Sequence, residues 1–262
     1  MPWDPAQYLK FADHRLRPAI DLLNRIDLAA PAEICDLGAG AGNVTRQLRA
    51  RWPAARITGV DESESMLATA AQTPPEPGQR PIEWQRADLA TWRPARPVDL
   101  IYSNAALHWL GHHAQLFPSL LGLLAPGGVL AVQMPRMFSE PSHTLVADAA
   151  RSGPWRAALE PLLGPPPVAE PAFYYDLLAP ITATVDIWET EYLHVLEGEH
   201  PVKEWFKGSW LAPLLAALQE PHRTEFEATY ARLVSQAYPR RSDGRTLLLF
   251  RRLFIVASTA IT

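Results

Sequence analysis

Apolar positions between residues 32 and 134 alternate between short runs and helical spacing. Short apolar runs bounded by turn residues predict strands at 32–37, 55–61, 82–88, 98–104 and 128–134. Between these runs, apolar residues at helical spacing predict helices at 43–52, 64–71 and 114–124. Strands and helices that alternate at these lengths form parallel sheets with helices on both faces. The pattern therefore predicts an α/β fold.

The pattern changes on both sides of this region. Before the first strand, helical spacing predicts one or two helices over residues 5–27. After residue 135 it predicts mostly helix or loop at 140–180, a long strand at 182–196, helices at 202–236 and a final strand at 245–258. Helices inserted between the last two strands can cover a pocket at the sheet edge.

These elements predict a domain organisation. We expect an N-terminal helical lid, a cofactor-binding core, a helical or loop segment, the last two sheet strands and a helical cap over the substrate pocket. The lid covers residues 1–30, the core 31–139 and the helical or loop segment 140–180. The last two strands cover 181–196 and 245–258, and the cap covers 199–238.

The stretch EICDLGAGAGN, residues 33–43, joins a strand to a helix through three glycines. Glycine adopts positive φ and lets a ligand lie against the backbone, and such a loop forms a cofactor site at the carboxyl edge of a parallel sheet. Dinucleotides require G-x-G-x-x-G, whereas Gly38, Gly40 and Gly42 give G-x-G-x-G, with Asn43 in the position of the last glycine. The spacing therefore favours S-adenosylmethionine over a dinucleotide.

Composition narrows the class of protein. With 262 residues and a net charge of −4, the chain can bury a large core but has no bulk basic field for nucleic acid. Its single cysteine, Cys35, lies in an apolar run and indicates neither a disulfide nor an oxidising compartment. The sequence shows no secretory pattern and no bilayer-length apolar stretch. We expect a cytoplasmic monomer or homodimer with a small-molecule substrate and neither nucleic-acid nor membrane partners.

Acidic residues follow the predicted strands in an order that suits an adenosine. Asp61 ends the second strand, where a carboxylate can accept both ribose hydroxyls. Asp88 ends the third strand, where it can accept from an adenine amino group while Leu89 contacts the ring. Asp36 fits an acceptor that orders amides of the glycine loop, although a turn-forming role at the strand end is an equal alternative.

The ordered stretches DLGAGAGN, ITGVDESESML, QRADLATW and DLIYSNAALHWL resemble class I S-adenosylmethionine-dependent methyltransferases. Further blocks, among them RPAIDLL, VQMP and DIWETEY, are similar to the trans-aconitate 2-methyltransferase family over nearly the whole chain. The resemblance implies a Rossmann-like fold with a mostly parallel seven-stranded sheet, helices on both faces and a helical cap. It also implies methyl transfer from S-adenosylmethionine to a carboxylate of a small polycarboxylic acid, giving S-adenosylhomocysteine, with no metal.

The motifs and the resemblance together provide the candidate cofactor-binding residues. Tyr8 and Arg15 lie seven residues apart on one predicted helix face. Arg15 is a candidate to bind a carboxylate of the methionine moiety or of the substrate, with a solvated surface charge as an equal alternative. The full set is Asp36, Gly38, Ala39, Gly40, Asn43, Asp61, Glu62, Met66, Ala87, Asp88, Leu89, Ser103, Asn104, Ala105, Tyr8 and Arg15.

Ester formation explains why no obvious catalytic base appears. A carboxylate, with a pKa near ~4, is already ionised at neutral pH and needs only alignment in a dry pocket. Trp109, after the fourth strand, is the candidate aromatic wall, with a core role as its alternative. His108 is a weaker candidate base, because a histidine on a helical turn is usually structural.

One stretch departs from the family pattern. Where the family reads approximately K-G-T-G-L-R-P, this chain reads KGSWLAP, which places Trp210 at a variable position and Ala212 where an arginine clamp is expected. Arg136, in VQMPRMF, and Arg252, in LLLFRRLF, are candidate compensating cations. The change predicts a less charged, more aromatic acid than trans-aconitate.

Alternatives remain open. A nicotinamide oxidoreductase lacks the required glycine spacing. A nucleic-acid base methyltransferase would carry an N/D-P-P-Y/F-type loop where this chain has SNAA. An O-, N- or C-methyltransferase for another metabolite, or a noncatalytic or cyclase-like protein that binds the same cofactor, fits the fold equally well.

Overall fold

The computed structural model describes residues 12–261, with side chains described from Leu16 onward. The described chain divides into two compact units. The sheet unit comprises residues 15–135, 167–190 and 252–261, and the helical unit comprises residues 12–14, 136–166 and 191–251.

Seven strands form one sheet. They are β1 (Glu33–Leu37), β2 (Arg56–Asp61), β3 (Glu83–Arg86), β4 (Val98–Asn104), β5 (Leu124–Pro135), β6 (Thr184–Leu196) and β7 (Thr246–Ser258). Their order across the sheet is β3–β2–β1–β4–β5–β7–β6. The pairs from β3 to β5 are parallel, whereas β5 and β7 are antiparallel. The prediction of a mostly parallel, seven-stranded Rossmann-like sheet is confirmed.

Ten α-helices accompany the strands in the described residues. They are α1 (Ala12–Asn24), α2 (Asn43–Arg51), α3 (Glu64–Ala71), α4 (His113–Leu121), α5 (Pro141–Arg151), α6 (Arg156–Leu159), α7 (Pro171–Leu178), α8 (Pro201–Lys207), α9 (Ala212–Ala216) and α10 (His222–Ala237). Short 3₁₀ turns lie at Leu107–Trp109, Glu160–Leu162 and Ala179–Ile181.

Strand β1 lies in the centre of the parallel part of the sheet, between β2 and β4. Four of its five residues are buried, as expected for a strand with neighbours on both edges and helices above and below. On β4, the Tyr102 hydroxyl donates to the Ala19 carbonyl of α1 at 2.7 Å, so α1 covers that face of the sheet. Cys35 is buried within β1, and its burial raises the pKa of the thiol to about 12. This environment suits a structural role for Cys35.

The main differences from the predicted elements lie around β5. The helix predicted at 114–124 ends at Leu121, and the strand predicted at 128–134 already begins at Leu124. The β4–β5 register shifts between Val98 and Leu100, so the residues before Gly128 form an irregular extension of the strand. Periodicity alone does not reveal such an extension, because its residues, LAPGG, lack strand alternation.

The division into units cuts across the predicted segments. The stretch 140–180 is not one segment, because residues 140–166 belong to the helical unit and residues 167–180 to the sheet unit. The last two strands are also shared, since residues 191–196 of β6 and 246–251 of β7 belong to the helical unit. The inserted helices α8, α9 and α10 therefore belong to the same compact unit as α5 and α6.

The helical unit has its own apolar core. Its largest buried side chains come from the inserted helices, from α5 and α6, and from the parts of β6 and β7 that belong to this unit. They include Trp155, Leu159, Leu196, Trp205, Phe206, Leu214, Phe226, Tyr230 and Phe250. The Tyr230 hydroxyl of α10 donates to the Ser142 carbonyl of α5 at 2.8 Å, which joins the two helices across 88 residues of sequence.

The described residues contain neither a helix that could span a membrane nor a cluster of side chains that could hold a metal ion. No helix in residues 12–261 is long and apolar enough to cross a membrane. Within the same range, no group of three or more His, Cys, Asp or Glu side chains could hold a metal ion.

Candidate functional site

The glycine loop joins β1 to α2 and adopts left-handed backbone geometry, with φ of +83° at Gly38 and +55° at Gly40. The amides of Gly38 and Ala39 donate to the Val60 carbonyl at 2.8 and 3.0 Å, which holds the loop against β2. A Cβ added at Gly38 would lie 2.1 Å from the Cβ of Ala106, whereas one added at Gly40 would meet no atom of the described residues within 4 Å. Gly38 is therefore required by packing, whereas no described residue crowds Gly40.

Asp61 ends β2 beside this loop. Its Oδ2 accepts from the Gly40 amide at 2.8 Å, and its Oδ1 accepts from the Ser63 amide at 2.8 Å. The Ser63 hydroxyl in turn caps α3 by accepting from the Met66 amide at 3.3 Å. One carboxylate thus connects the glycine loop, the end of β2 and the start of α3.

Asp36 has a different environment from the one expected. It is buried, and its Oδ2 accepts from the Thr45 hydroxyl of α2 at 2.6 Å, whereas the loop amide is bound by Asp61. Burial raises the pKa of Asp36 to about 7, the Thr45 hydrogen bond lowers it and the nearby charge of Asp61 raises it. Sequence order could not separate the two aspartates, because Asp36 is the penultimate residue of β1 and Asp61 the last residue of β2, both next to the loop.

The residues expected around an adenine follow β3. Asp88 is exposed, and its Oδ1 accepts from the Ala90 amide at 2.9 Å. The Ala87 amide donates to the Asp61 carbonyl at 3.1 Å. Leu89 is half-buried, and its Cδ1 lies 3.8 Å from the position of a Cβ added at Gly38. These contacts bring the predicted adenine residues next to the glycine loop.

Other candidates lie around the same loop. Met66 is buried in the first turn of α3, and Glu62 is exposed just before that helix. Asn43 is exposed at the start of α2, where its side-chain oxygen accepts from Arg46 at 3.2 Å. The Arg46 guanidinium also donates to the Ala41 carbonyl at 2.8 Å, so this side chain stiffens the loop from outside.

The end of β4 combines backbone strain with an unsatisfied acceptor. Ala105 has a φ of +54°, which is uncommon for a residue with a side chain, and its amide donates to the Gln133 carbonyl at 2.9 Å. The buried Oδ1 of Asn104 has no hydrogen-bond partner in the described part of the chain. Ser103, in contrast, is buried and donates to the Leu37 carbonyl at 2.7 Å. Asn104 is therefore the side chain at this strand end with an acceptor still to be satisfied.

Trp109 and His108 lie in the 3₁₀ turn that follows β4. Their ring centroids are 4.6 Å apart. Trp109 is half-buried, whereas His108 is only 6% exposed. Leu107, the first residue of the turn, is fully buried and anchors it in the sheet unit.

The candidates outside the glycine loop are divided between the units. Arg252 lies in the sheet unit, is 4% exposed and donates from Nη1 to Gln133 Oε1 at 3.2 Å. Arg136 lies in the helical unit, where its amide donates to the Arg251 carbonyl at 3.0 Å.

Trp210 lies in an aromatic group of the helical unit. Its ring centroid is 5.2 Å from that of Phe138 and 5.1 Å from that of His143. His143 is buried, and burial lowers the pKa of its imidazole to about 3, so the ring is neutral at ordinary pH. Ala212 begins α9, two residues after Trp210.

Some residues of interest lie beyond the description or were missed. Tyr8 lies outside the described residues, as does the side chain of Arg15. Sequence analysis missed Gln133 and His143. A signal existed for Gln133, because it is the polar residue inside the apolar run GVLAVQM, which predicts a buried strand.

The fold and the residues collected at the carboxyl ends of β1, β2 and β4 define a class I S-adenosylmethionine-dependent methyltransferase. A family profile described as "Methyltransferase domain" matches residues 34–128. A solved S-adenosylmethionine-dependent methyltransferase from Thiobacillus denitrificans, in complex with S-adenosylhomocysteine, shares the fold with a TM-score of 0.53 and 19% identity. That match covers 98% of this chain and 100% of the other.

Closer relatives cover nearly the whole chain. The trans-aconitate 2-methyltransferase of Azoarcus sp. is 48% identical over 97% of this chain and 98% of its own length. The enzyme of that name from Methylobacterium radiotolerans is 48% identical over 98% of each chain. This chain therefore belongs to the trans-aconitate 2-methyltransferase family.

Proposed function

We propose that this chain transfers the methyl group of S-adenosylmethionine to a carboxylate oxygen of a small organic acid, forming a methyl ester. The observation that carries the proposal is the near-full-length identity of 48% to enzymes named for trans-aconitate methylation. A match of this extent includes the inserted helices as well as the sheet. Both parts of the chain therefore support the assignment.

The described residues fit the cofactor. No residue from 12 to 261 occupies the Cβ position of Gly40, Asp61 presents its carboxylate at the end of β2, and Asn104 Oδ1 is a buried acceptor that no described residue satisfies. A carboxylate has about four acceptor sites, and Asp61 uses two of them on amides, so it retains capacity for two ribose hydroxyls. Asn104 Oδ1 suits the ammonium of the methionine moiety, and Asp88 with Leu89 suits the adenine.

The chemistry asks little of the protein beyond alignment. When bound, S-adenosylmethionine supplies an electrophilic methyl group, whose bond to sulfur breaks as the ester C–O bond forms. The acid is already ionised at neutral pH, so no residue has to remove a proton. The protein's tasks are to orient the carboxylate and to exclude water from it. We propose that Trp109 forms an aromatic wall of this site, with His108 as the ring that packs against it.

The preference for a particular acid depends on residues at which this chain differs from the family pattern. Trp210 and Ala212 stand where the family pattern has a small residue and an arginine, so this chain lacks one expected cation for a polycarboxylate. Arg136 and Arg252 are the candidate replacements. We propose that the preferred acid carries fewer charges than trans-aconitate and has a larger apolar body.

The test is methyl transfer from labelled S-adenosylmethionine to trans-aconitate, to other polycarboxylic acids and to aromatic and aliphatic monoacids. A methyl ester releases labelled methanol in alkali, whereas N-, C- or ether-linked methyl groups resist. Alkali-labile product with an acid supports the proposal. Alkali-stable product would identify another methyltransferase chemistry, and cofactor binding without transfer to any acceptor would identify a noncatalytic protein.

A further inference from the structure

Gln133 is a polar side chain buried inside the apolar core of the sheet. It is 0% exposed and lies two residues before the end of β5. Its register partners are Asn104, the last residue of β4, and Phe254 of β7. Ligands of open α/β sheets bind outside the carboxyl ends of the strands, and Gln133 lies near that end of β5.

Arg252 determines which way the Gln133 amide faces. The guanidinium has only donors, so the group that receives its hydrogen bond at 3.2 Å has to be the oxygen of the amide. The amide nitrogen, Nε2, is consequently turned away from Arg252. This orientation follows from donor and acceptor chemistry alone, because an NH₂ group cannot accept from Arg252.

The Nε2 atom that results is buried and has no hydrogen-bond partner among residues 12–261. A buried donor without a partner is destabilising, so such a group calls for an explanation. The protein retains this donor at the carboxyl edge of the sheet, beside the strained Ala105, whose amide is bound by the carbonyl of the same Gln133. An acceptor supplied by a ligand would account for the unpartnered donor.

We propose that Gln133 Nε2 donates a hydrogen bond to a carboxylate of the acid substrate, and that Arg252 is the positioning residue that keeps this donor facing the substrate. The inference rests on the proposed function, because it takes a carboxylic acid to be the methyl acceptor. It assigns carboxylate recognition to a neutral amide in the sheet unit. Binding of the carboxylate by Gln133 then does not depend on the arginine that this chain lacks at position 212.

The central test is Gln133→Glu. The substitution keeps an oxygen for Arg252 but replaces the donor with a negatively charged acceptor facing the substrate. We expect the KM for the acid to rise by about 100-fold, since a charge-assisted hydrogen bond is lost and a like charge is added. The affinity for S-adenosylhomocysteine, measured by calorimetry, should stay unchanged. A monoamide analogue of the acid should regain affinity for the variant, because its N–H groups can donate to the new carboxylate.

Gln85→Glu, at an exposed position, is the control for the change from amide to carboxylate. Gln85 is another strand glutamine whose Oε1 accepts from a donor-only group, the Trp92 indole nitrogen, at 3.1 Å. It lies on β3, which β2 and β1 separate from β4 and β5. The same change of charge should therefore leave the KM for the acid unaltered. A similar rise of KM in both variants would mean that added charge, rather than the lost donor, is responsible, and would overturn the inference.

Arg252 is tested by its effect through Gln133. Arg252→Met should raise the KM for the acid with a smaller effect on kcat, and Arg252→Lys, which can still donate to Gln133 Oε1, should recover part of the loss. In the Gln133→Leu background, Arg252→Met should add little further. Fully additive effects of the two changes would contradict a positioning role.

The outcomes separate the two proposals. If the natural protein methylates an acid and Gln133→Glu leaves its KM unchanged, the role of Gln133 is wrong while the proposed function stands. If Gln133→Glu weakens S-adenosylhomocysteine binding without changing the KM for the acid, Gln133 contacts the cofactor and the inference is again wrong. If the natural protein neither methylates nor binds any acid, the proposed function fails and the inference with it.

Discussion

Asp61 ties the glycine loop to the second strand, because its Oδ2 accepts a hydrogen bond of 2.8 Å from the Gly40 amide. Its other oxygen accepts from the Ser63 amide at 2.8 Å. The carboxylate that is proposed to bind the ribose is therefore held in place before any ligand arrives. Such preorganisation reduces the entropy lost on binding.

Replacing Asp61 should weaken cofactor binding strongly. Asp61→Ala loses two proposed ribose hydrogen bonds and the loop contact, and each hydrogen bond to a charged acceptor contributes about 1.5–3 kcal/mol. We expect the Kd for S-adenosylhomocysteine to rise by at least ~100-fold. Titration calorimetry measures it, and an unchanged Kd would contradict the ribose assignment.

Asp99→Ala is the control for Asp61→Ala. Asp99 Oδ2 also accepts from two backbone amides, those of Ala32 at 2.7 Å and Glu33 at 2.9 Å. It lies at the start of β4, at the opposite end of the sheet strands from Asp61. We expect this variant to lose thermal stability but to keep its cofactor affinity.

A side chain at Gly40 should interfere with cofactor binding rather than with folding. Gly40→Ala introduces a methyl group that meets no atom of the described residues, at a cost of about 1 kcal/mol for the left-handed backbone. Gly244→Ala is matched, because Gly244 has a φ of +81° and its Cβ position likewise meets no atom in the described part of the chain. We expect similar losses of Tm in both variants, but a loss of S-adenosylhomocysteine affinity in Gly40→Ala alone. Equal affinities would show that the cofactor does not approach Gly40.

Gly38→Ala should act through folding instead. Its added Cβ would lie 2.1 Å from the Cβ of Ala106, which is too close for either residue to keep its position. We expect a lower Tm than for Gly40→Ala, measured by thermal denaturation. A stable Gly38→Ala protein with normal cofactor affinity would contradict the tight packing between the loop and the turn after β4.

Asp36 should make the protein less stable as pH rises. Burial raises its pKa to about 7 in the folded chain, whereas an unfolded aspartate has a pKa of about 3.9. Between these values the unfolded state releases the proton and the folded state keeps it, so the free energy of unfolding falls as pH rises from about 4 to 7. Above pH 7 the loss is complete. Urea denaturation of the natural chain and Asp36→Asn measures it, and the difference between the two should shift with pH over this window.

Thr45→Val provides a second check on Asp36. The Thr45 hydroxyl, 2.6 Å from Asp36 Oδ2, lowers the pKa of this carboxyl, so its removal should raise that pKa further. The pH window of declining stability should then extend above 7. An identical pH profile for Thr45→Val and the natural chain would show that the hydroxyl does not stabilise the ionised form.

The departure at Trp210 and Ala212 predicts a change of substrate preference. Trp210→Gly with Ala212→Arg restores the family pattern and should raise kcat/KM for trans-aconitate by about one to two decades, the effect of one charge-assisted contact. Turnover of aromatic or aliphatic monoacids should fall. Because Trp210 packs against Phe138 and His143, the double variant should also have a lower Tm.

Ala216→Arg is the control for the added charge, since Ala216 is exposed on the same short helix. It should leave the preference for trans-aconitate unchanged. If the natural chain already prefers trans-aconitate and the double variant does not improve on it, another cation has replaced the clamp, and Arg136 is then the first residue to exchange.

The sequence alone determined the order of strands and helices and the place of the cofactor loop. Apolar periodicity is a local property, so strands such as β1, predicted at 32–37 and observed at Glu33–Leu37, follow from neighbouring residues. The glycine spacing likewise selected the cofactor, and the ordered motifs indicated the family. These signals depend on residues that lie close together in the chain.

Only the tertiary structure decided which distant residues contact one another at the site. It distinguished Asp61, which binds the loop, from Asp36, which is buried against Thr45, although both aspartates lie within the last two residues of a strand. It also placed Arg252 against Gln133 across 119 residues of sequence and thereby oriented a buried amide donor. Such pairings depend on strand register and on burial, which are set only when distant strands pack into one sheet. No local pattern of residues predicts them.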